Sequence, residues 1–210
     1  MSKVRIKICG ITRVEDASAA ATAGADAIGI VFFEKSPRYV ANLQLASAIA
    51  REVGPFVTVT ALFVDASAEY VNSVLKEVPV NLLQFHGEES RDYCEQFSKP
   101  YIKALRVSEK TDIPQKIKEF SSASGVLLDT YVKGIPGGTG EVFNWQLVPE
   151  GLEKPVIIAG GLNATNVVEA IQTTSPYAVD VSGGVEASPG IKDKEKVQNF
   201  ITSVRSLRLG

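Results

Sequence analysis

A (β/α)8 barrel is the fold this sequence predicts, and three observations predict it. Eight apolar or alternating runs are each followed by a helix-like segment, so strand and helix alternate along the chain. Strands joined through helices lie parallel, because a parallel neighbour is reached only by a crossover connection. The eight units share 210 residues, roughly 26 each, which is near the lower limit for such a barrel. A doubly wound open sheet is the alternative. It would ordinarily place a phosphate-binding glycine fingerprint after its first strand, and Cys9-Gly10-Ile11-Thr12 is not one. No low-complexity stretch or linker divides the chain, so residues 1–210 are expected to form a single barrel domain.

The elements follow in order. Val4-Arg5-Ile6-Lys7-Ile8 alternates apolar and basic residues and runs into Cys9, which sets the first strand at Val4–Cys9. Further strands are predicted at Ala27–Phe32, Thr58–Val64, Asn81–Phe85, Tyr101–Leu105, Gly125–Asp129, Val156–Ala159 and Ala178–Ser182. Helices are predicted at Val14–Ala23, Leu43–Val53, Ala68–Val78, Glu89–Phe97, Ile113–Ser121, Trp145–Pro149, Ala164–Thr173 and Lys194–Leu207. Their apolar residues recur at helical spacing, as in the stripe Tyr70, Val71, Val74, Leu75 and Val78. Capping residues mark starts at Asp65, Ser67, Asn163 and Asp193, and glycines mark returns at Gly24 and Gly54.

Composition narrows the class of function. A chain that is 45% hydrophobic and 22% charged reads as a globular protein. A net charge of −2 gives no reason to expect nucleic acid or an anionic membrane as partner. The apolar N-terminal run carries Lys3, Arg5 and Lys7, so it reads as neither a signal peptide nor a membrane span. Cys9 and Cys94 do not make a disulfide framework, and Cys94 reads as a small buried hydrophobe on a helix. One histidine and no Cys-x-x-Cys leave no metal motif. The expectation is a cytoplasmic protein without cofactor.

A barrel of this kind carries its site at the C-terminal ends of the strands, so the residues there read out the site. The last two strands end in Gly160-Gly161 and in Ser182-Gly183-Gly184. A Gly-Gly pair alone serves equally as a tight turn. Two pairs on adjacent strands favour a phosphate seat, where backbone N–H groups converge on an anion. Asp129 closes the sixth strand and precedes the glycine-rich segment Lys133–Gly140, where general acid or base work is plausible, as is simple capping. Arg38, in Ser36-Pro37-Arg38-Tyr39, either grips a carboxylate or phosphate or is simply solvated. His86 either holds a loop or takes part in the site. Cys9 places a thiol beside Gly10 at the mouth of the first strand.

Several of these stretches together resemble phosphoribosylanthranilate isomerases of tryptophan biosynthesis. They are Lys7-Ile8-Cys9-Gly10-Ile11-Thr12, Ser36-Pro37-Arg38-Tyr39-Val40, Gln84-Phe85-His86-Gly87, Leu128-Asp129, Gly137-Gly138-Thr139-Gly140, Ala159-Gly160-Gly161-Leu162 and Asp180-Val181-Ser182-Gly183-Gly184-Val185-Glu186. The resemblance covers essentially the whole chain, in order. It implies a barrel that converts N-(5-phosphoribosyl)anthranilate into the 1-deoxyribulose by an Amadori rearrangement. It further implies that Cys9 is the general base and Asp129 the general acid. Arg38 would bind the anthranilate carboxylate, the two Gly-Gly loops the phosphate, and His86 would line the substrate site. The imine formed from the substrate's own nitrogen serves as electron sink, so neither metal nor nicotinamide is needed.

Strand alternation places Arg5, Lys7 and Cys9 on one face. If Cys9 points into the barrel mouth, Lys7 lies one layer below it and needs a buried partner. Asp180, on the strand that closes the barrel, is the candidate. Lys7 is then expected to favour the Cys9 thiolate. Two other readings remain open at this point: a different phosphosugar isomerase or synthase, and a non-catalytic phosphate-binding barrel. Sister Amadori isomerases would be expected to use two aspartates, whereas this first strand ends in Cys9. The partner expected is a phosphoribosyl small molecule, with the protein a monomer or a homodimer.

Overall fold

In the computed structural model, which describes residues 3–130 and 144–207, eight parallel strands close into a barrel in chain order. They are β1 (Arg5–Cys9), β2 (Ala27–Val31), β3 (Thr58–Phe63), β4 (Leu82–Phe85), β5 (Tyr101–Val107), β6 (Gly125–Thr130), β7 (Val156–Ile158) and β8 (Ala178–Val181). The ring shuts where β1 pairs with β8, setting Lys7 opposite Asp180 and Ile8 opposite Val181. The helices between and after them are α1 (Val14–Ala23), α2 (Leu43–Glu52), α3 (Ala68–Glu77), α4 (Arg91–Glu95), α5 (Ile113–Glu119), α6 (Val167–Thr174) and α7 (Lys194–Ser206). The fold is the barrel that the alternation of elements predicts.

Three helix predictions need correction, each for a local reason. Trp145–Pro149 forms only a 3₁₀ turn over Trp145–Leu147. Val148 turns to φ −82°, ψ 112°, as a residue before proline is pushed to do. The fourth helix starts at Arg91 because Ser90 caps it, accepting from the Tyr93 amide. Glu89 is instead turned inward, where its carboxylate accepts from Asp65 N and Gly87 N and pairs with Lys103. The sixth helix starts at Val167 because Asn163 and Asn166 make a reciprocal turn first. Asn163 therefore holds a loop rather than the helix end.

Ser67 and Asp193 cap their helices as expected, and Asn42 and Asp112 do the same. Asp65 does not cap its own helix. At φ 47° it accepts from Glu88 N and ties the loop after β3 to the loop after β4. A two-stranded hairpin, β9 (Glu186–Ser188) with β10 (Ile191–Lys192), follows β8 and was not predicted. The glycine-rich segment from Tyr131 to Glu141 lies outside the described residues.

Period-two alternation splits the buried side chains into two layers. One face of each strand, including Ile6, Ile28, Phe63, Phe85, Leu128 and Val179, packs against the helices. The other face fills the lumen. Ile102, Ala104, Leu127, Ile157, Ala159 and Ala178 form one cluster there, and Cys9, Val31 and Leu62 another. Lys7, Thr60, Gln84, Asp129 and Asp180 are buried too, and alternation sets each on the lumen face. A lumen that holds charged residues is expensive unless they are paired, which points to the mouth of this barrel as the place of work.

On the outer side Phe85 stands at the centre of an aromatic cluster. Its ring centroid lies 5.7 Å from Tyr93, 5.7 Å from Phe97, 5.8 Å from Tyr101 and 6.4 Å from Phe63. Phe85 is fully buried, so its truncation leaves a cavity that four rings line. Phe85→Ala is expected to lower the unfolding free energy by about 3–5 kcal/mol, read from urea denaturation.

Candidate active site

Cys9 ends β1, and alternation turns its side chain into the lumen, where it is 5% exposed. Its neighbour across the sheet is Gly29 on β2. A Cβ at Gly29 would lie 2.7 Å from Cys9 Sγ and 3.2 Å from Lys7 Cε. Gly29 is therefore the gap into which thiol and lysine both fit. One layer below, Lys7 Nζ donates to Asp180 Oδ1 at 2.9 Å, both side chains buried. The pairing expected from alternation is present.

The expected pull of Lys7 toward the Cys9 thiolate is present, but it is not the largest influence on the thiol. Burial pushes the Cys9 thiol up, and it outweighs the pull of the Lys7 ammonium. Lys7 does favour the thiolate, but it does not win. For Lys7 itself burial opposes the charge, yet Asp180 and then Cys9 more than offset it, so the ammonium is held above its ordinary value.

Asp129, on β6, meets the site through His86. His86 Nε2 lies 3.1 Å from Asp129 Oδ2, and Gln84 Nε2 lies 2.9 Å from His86 Nδ1. With the Gln84 amide donating to Nδ1, the ring carries its proton on Nε2 and donates it to the carboxylate. Gln84 was not singled out in the sequence, although it lies two residues before His86 and so shares its face of the strand.

Arg38 reaches the same mouth from the loop after β2. A Cβ at Gly10 would lie 2.5 Å from Arg38 Cδ and 2.8 Å from Ser182 Oγ, so the arginine stem crosses bare backbone beside Cys9. The guanidinium is not solvated. Nε donates to Glu186 Oε1 at 2.7 Å and Nη2 to Glu186 Oε2 at 2.8 Å. Lys192 Nζ donates to the same Glu186 Oε1 at 2.8 Å and to Ser182 O at 3.1 Å. Burial works against the Glu186 carboxylate, but Arg38 and Lys192 overcome it and hold the acid below its ordinary value. Glu186 stood in a quoted motif without a role, and Lys192 carried no signal in the sequence.

The two glycine loops lie side by side. Gly160 and Gly161 have φ +81° and +66°, a left-handed backbone that suits glycine. A Cβ at Gly184 would overlap the Leu162 carbonyl oxygen, so this glycine brings the loop after β8 against the loop after β7. Gly183 leaves room for Arg38 Nη2. Ser182 Oγ is buried without a hydrogen-bond partner among the described residues. A buried hydroxyl without a partner in a cradle of bare backbone suits a ligand with acceptor oxygens.

A sequence profile described as N-(5'phosphoribosyl)anthranilate (PRA) isomerase matches residues 6–203. This chain belongs to the phosphoribosylanthranilate isomerase family. Family members are aldose–ketose isomerases of tryptophan biosynthesis, and so is this enzyme. It is 59% identical over 206 residues to the N-(5'-phosphoribosyl)anthranilate isomerase of Azotobacter vinelandii, covering 98% of this chain and 100% of the relative. It is similar in structure to the phosphoribosyl anthranilate isomerase of Thermotoga maritima, with TM-score 0.89 and 38% identity over 97% of this chain and all of the other. A further isomerase structure, in complex with reduced 1-(o-carboxyphenylamino)-1-deoxyribulose 5-phosphate, matches with TM-score 0.86 and 38% identity over the same shares.

Lys7 and Asp180 influence the thiol in opposite senses, and the lysine's pull is the larger. Removing both charges in Lys7→Met/Asp180→Asn avoids stranding either one. The pH midpoint for alkylation of Cys9 by iodoacetamide is expected to move to higher pH than in wild type. An unmoved midpoint would show that the pair exerts no net pull on the thiol.

Proposed function

We propose that this isomerase carries out the Amadori rearrangement of N-(5-phosphoribosyl)anthranilate with Cys9 as general base and Asp129 as general acid. Asp129 gives a proton to the ring oxygen of the ribose as the bond from that oxygen to C1 breaks. The anthranilate nitrogen supplies the electron pair and becomes a protonated imine. Cys9 then takes the proton from C2, and those electrons flow into the imine to give an enolamine. Return of a proton to C1 and loss of the C2 hydroxyl proton give the ketose. No atom is gained or lost overall.

What supports this reading is that one barrel mouth holds Cys9, Asp129, Arg38 and the paired glycine loops together. Arg38 would take the anthranilate carboxylate. Gly160, Gly161, Ser182, Gly183 and Gly184 would take the phosphate, whose oxygens would satisfy the Ser182 hydroxyl. His86 would sit at the edge of the substrate and orient Asp129. The raised thiol suits the same chemistry. Burial holds the thiol above its ordinary value, and a cationic imine beside it would favour the thiolate. The reading extends to a cytoplasmic, single-domain enzyme. Among the described residues no helix is long and apolar enough to cross a membrane.

The test is turnover, followed as loss of the substrate's fluorescence. Cys9→Ala and Asp129→Asn are each expected to lower kcat by about a hundredfold to ten-thousandfold. Full activity in both would remove the mechanism. Because the base acts as thiolate, and burial raises the thiol, kcat/KM is expected to climb with pH through neutrality and level off only on the alkaline side. A rate that falls over that range would exclude a buried Cys9 as base.

A further inference from the structure

Glu186 and Lys192 are buried charged residues, 8% and 4% exposed, to which the reaction above assigns no task. Both belong to the β9–β10 hairpin, which is pinned on every side. Asp16 Oδ2 accepts from Lys192 N at 3.1 Å, Thr12 Oγ1 donates to Gly190 O at 2.5 Å, and Lys196 Nζ donates to Glu186 O at 2.8 Å. The Glu186 carboxylate is therefore held on a fixed support. A second buried lysine–glutamate pair, Lys103–Glu89, faces the helices, and its lysine donates to the backbone oxygens of Phe85 and Gly87. Lys192 and Glu186 instead converge on Arg38 beside the thiol.

A guanidinium has two edges that take a carboxylate in bidentate fashion. Glu186 occupies the edge formed by Nε and Nη2. The end formed by Nη1 and Nη2 is left for a second carboxylate, and Nη1 has no hydrogen-bond partner among the described residues. Charge decides whether that end attracts one. Arg38 and Glu186 alone cancel, and a neutral pair gives a second anion little reason to bind. Lys192 leaves the cluster with one net positive charge.

We propose that Glu186 and Lys192 are positioning residues for Arg38. Glu186 aims the open end of the guanidinium at the substrate carboxylate, and Lys192 keeps the cluster one charge positive so that the carboxylate is held. The inference rests on the reading of Arg38 as the partner of the anthranilate carboxylate.

The test compares KM for N-(5-phosphoribosyl)anthranilate with KM for N-(5-phosphoribosyl)aniline, which has the phosphate but not the carboxylate. Lys192→Met is expected to raise KM for the carboxylated substrate about tenfold, to move kcat less, and to leave KM for the aniline unchanged. Lys192→Arg is expected to restore it. Lys192→Met/Glu186→Gln is also expected to recover, because Arg38 alone again leaves one positive charge. If Lys192→Met does not fold, Glu186→Gln with and without Lys192→Met makes the same comparison without a stranded carboxylate, and KM for the carboxylated substrate should be lower with the lysine present. An unchanged KM overturns the proposal, as does an equal rise for both substrates or a failure of the charge-balanced variant to recover. Arg38→Met separates the two levels. It should erase the preference for the carboxylated substrate, and a preference that persists removes the reading of Arg38 itself. Erasure by Arg38→Met with no effect of Lys192→Met removes only the role of Lys192.

Discussion

Closure of β1 against β8 is the constraint on which the rest of this structure depends. It brings Lys7 and Asp180, 173 positions apart in the chain, to 2.9 Å in the lumen. Neither charge is tolerable there alone, since an unpaired buried ion costs several kcal/mol or more. The pair is therefore possible only in the closed ring. Closure also sets the end of β1 beside the end of β8, so Cys9, Gly10 and Ser182 become neighbours. The same register that completes the sheet assembles one wall of the site.

The charges around that wall are organised in two layers. Below the thiol, Lys7 and Asp180 neutralise each other, and their net influence on Cys9 is a modest pull toward the thiolate that burial overrides. Beside the thiol, Arg38, Glu186 and Lys192 leave a surplus of positive charge. A buried ion pair is weak evidence of stability, because desolvation takes back most of the Coulomb gain. Its better-supported use is to fix geometry. Here Glu186 holds a long, flexible arginine in one orientation across Gly10.

Glycines supply the room for this arrangement. Gly29 admits the thiol and lysine side by side, Gly10 lets Arg38 cross, and Gly184 lets the loop after β8 press against Leu162 O. Each removes a side chain that would otherwise stiffen and fill the barrel. The stabilising layers lie elsewhere, in the apolar contacts between strands and helices centred on residues such as Phe63 and Phe85. Stability resides outside the barrel wall and chemistry at its mouth, as is general for this architecture.

Local chemistry was readable along the chain. The barrel followed from eight alternations of strand and helix, and the strand ends followed from the residues that close each apolar run. The inward face of β1 followed from period two, which placed Lys7 under Cys9 and named Asp180 as its partner. Helix starts at Ser67 and Asp193 were legible because capping is decided within four residues. Those at Arg91 and Val167 were not, because Glu89 and Asn163 are drawn into contacts that outrank the local pattern. Whether Cys9 is held up or down depends on how completely the barrel excludes water, a property of the closed fold. Glu186 acts through Arg38, far away in sequence, and no spacing along the chain reports a distance across it. The sequence by itself determined the barrel and the face each strand presents; only the closed tertiary structure decided which charges meet and which of them is left over.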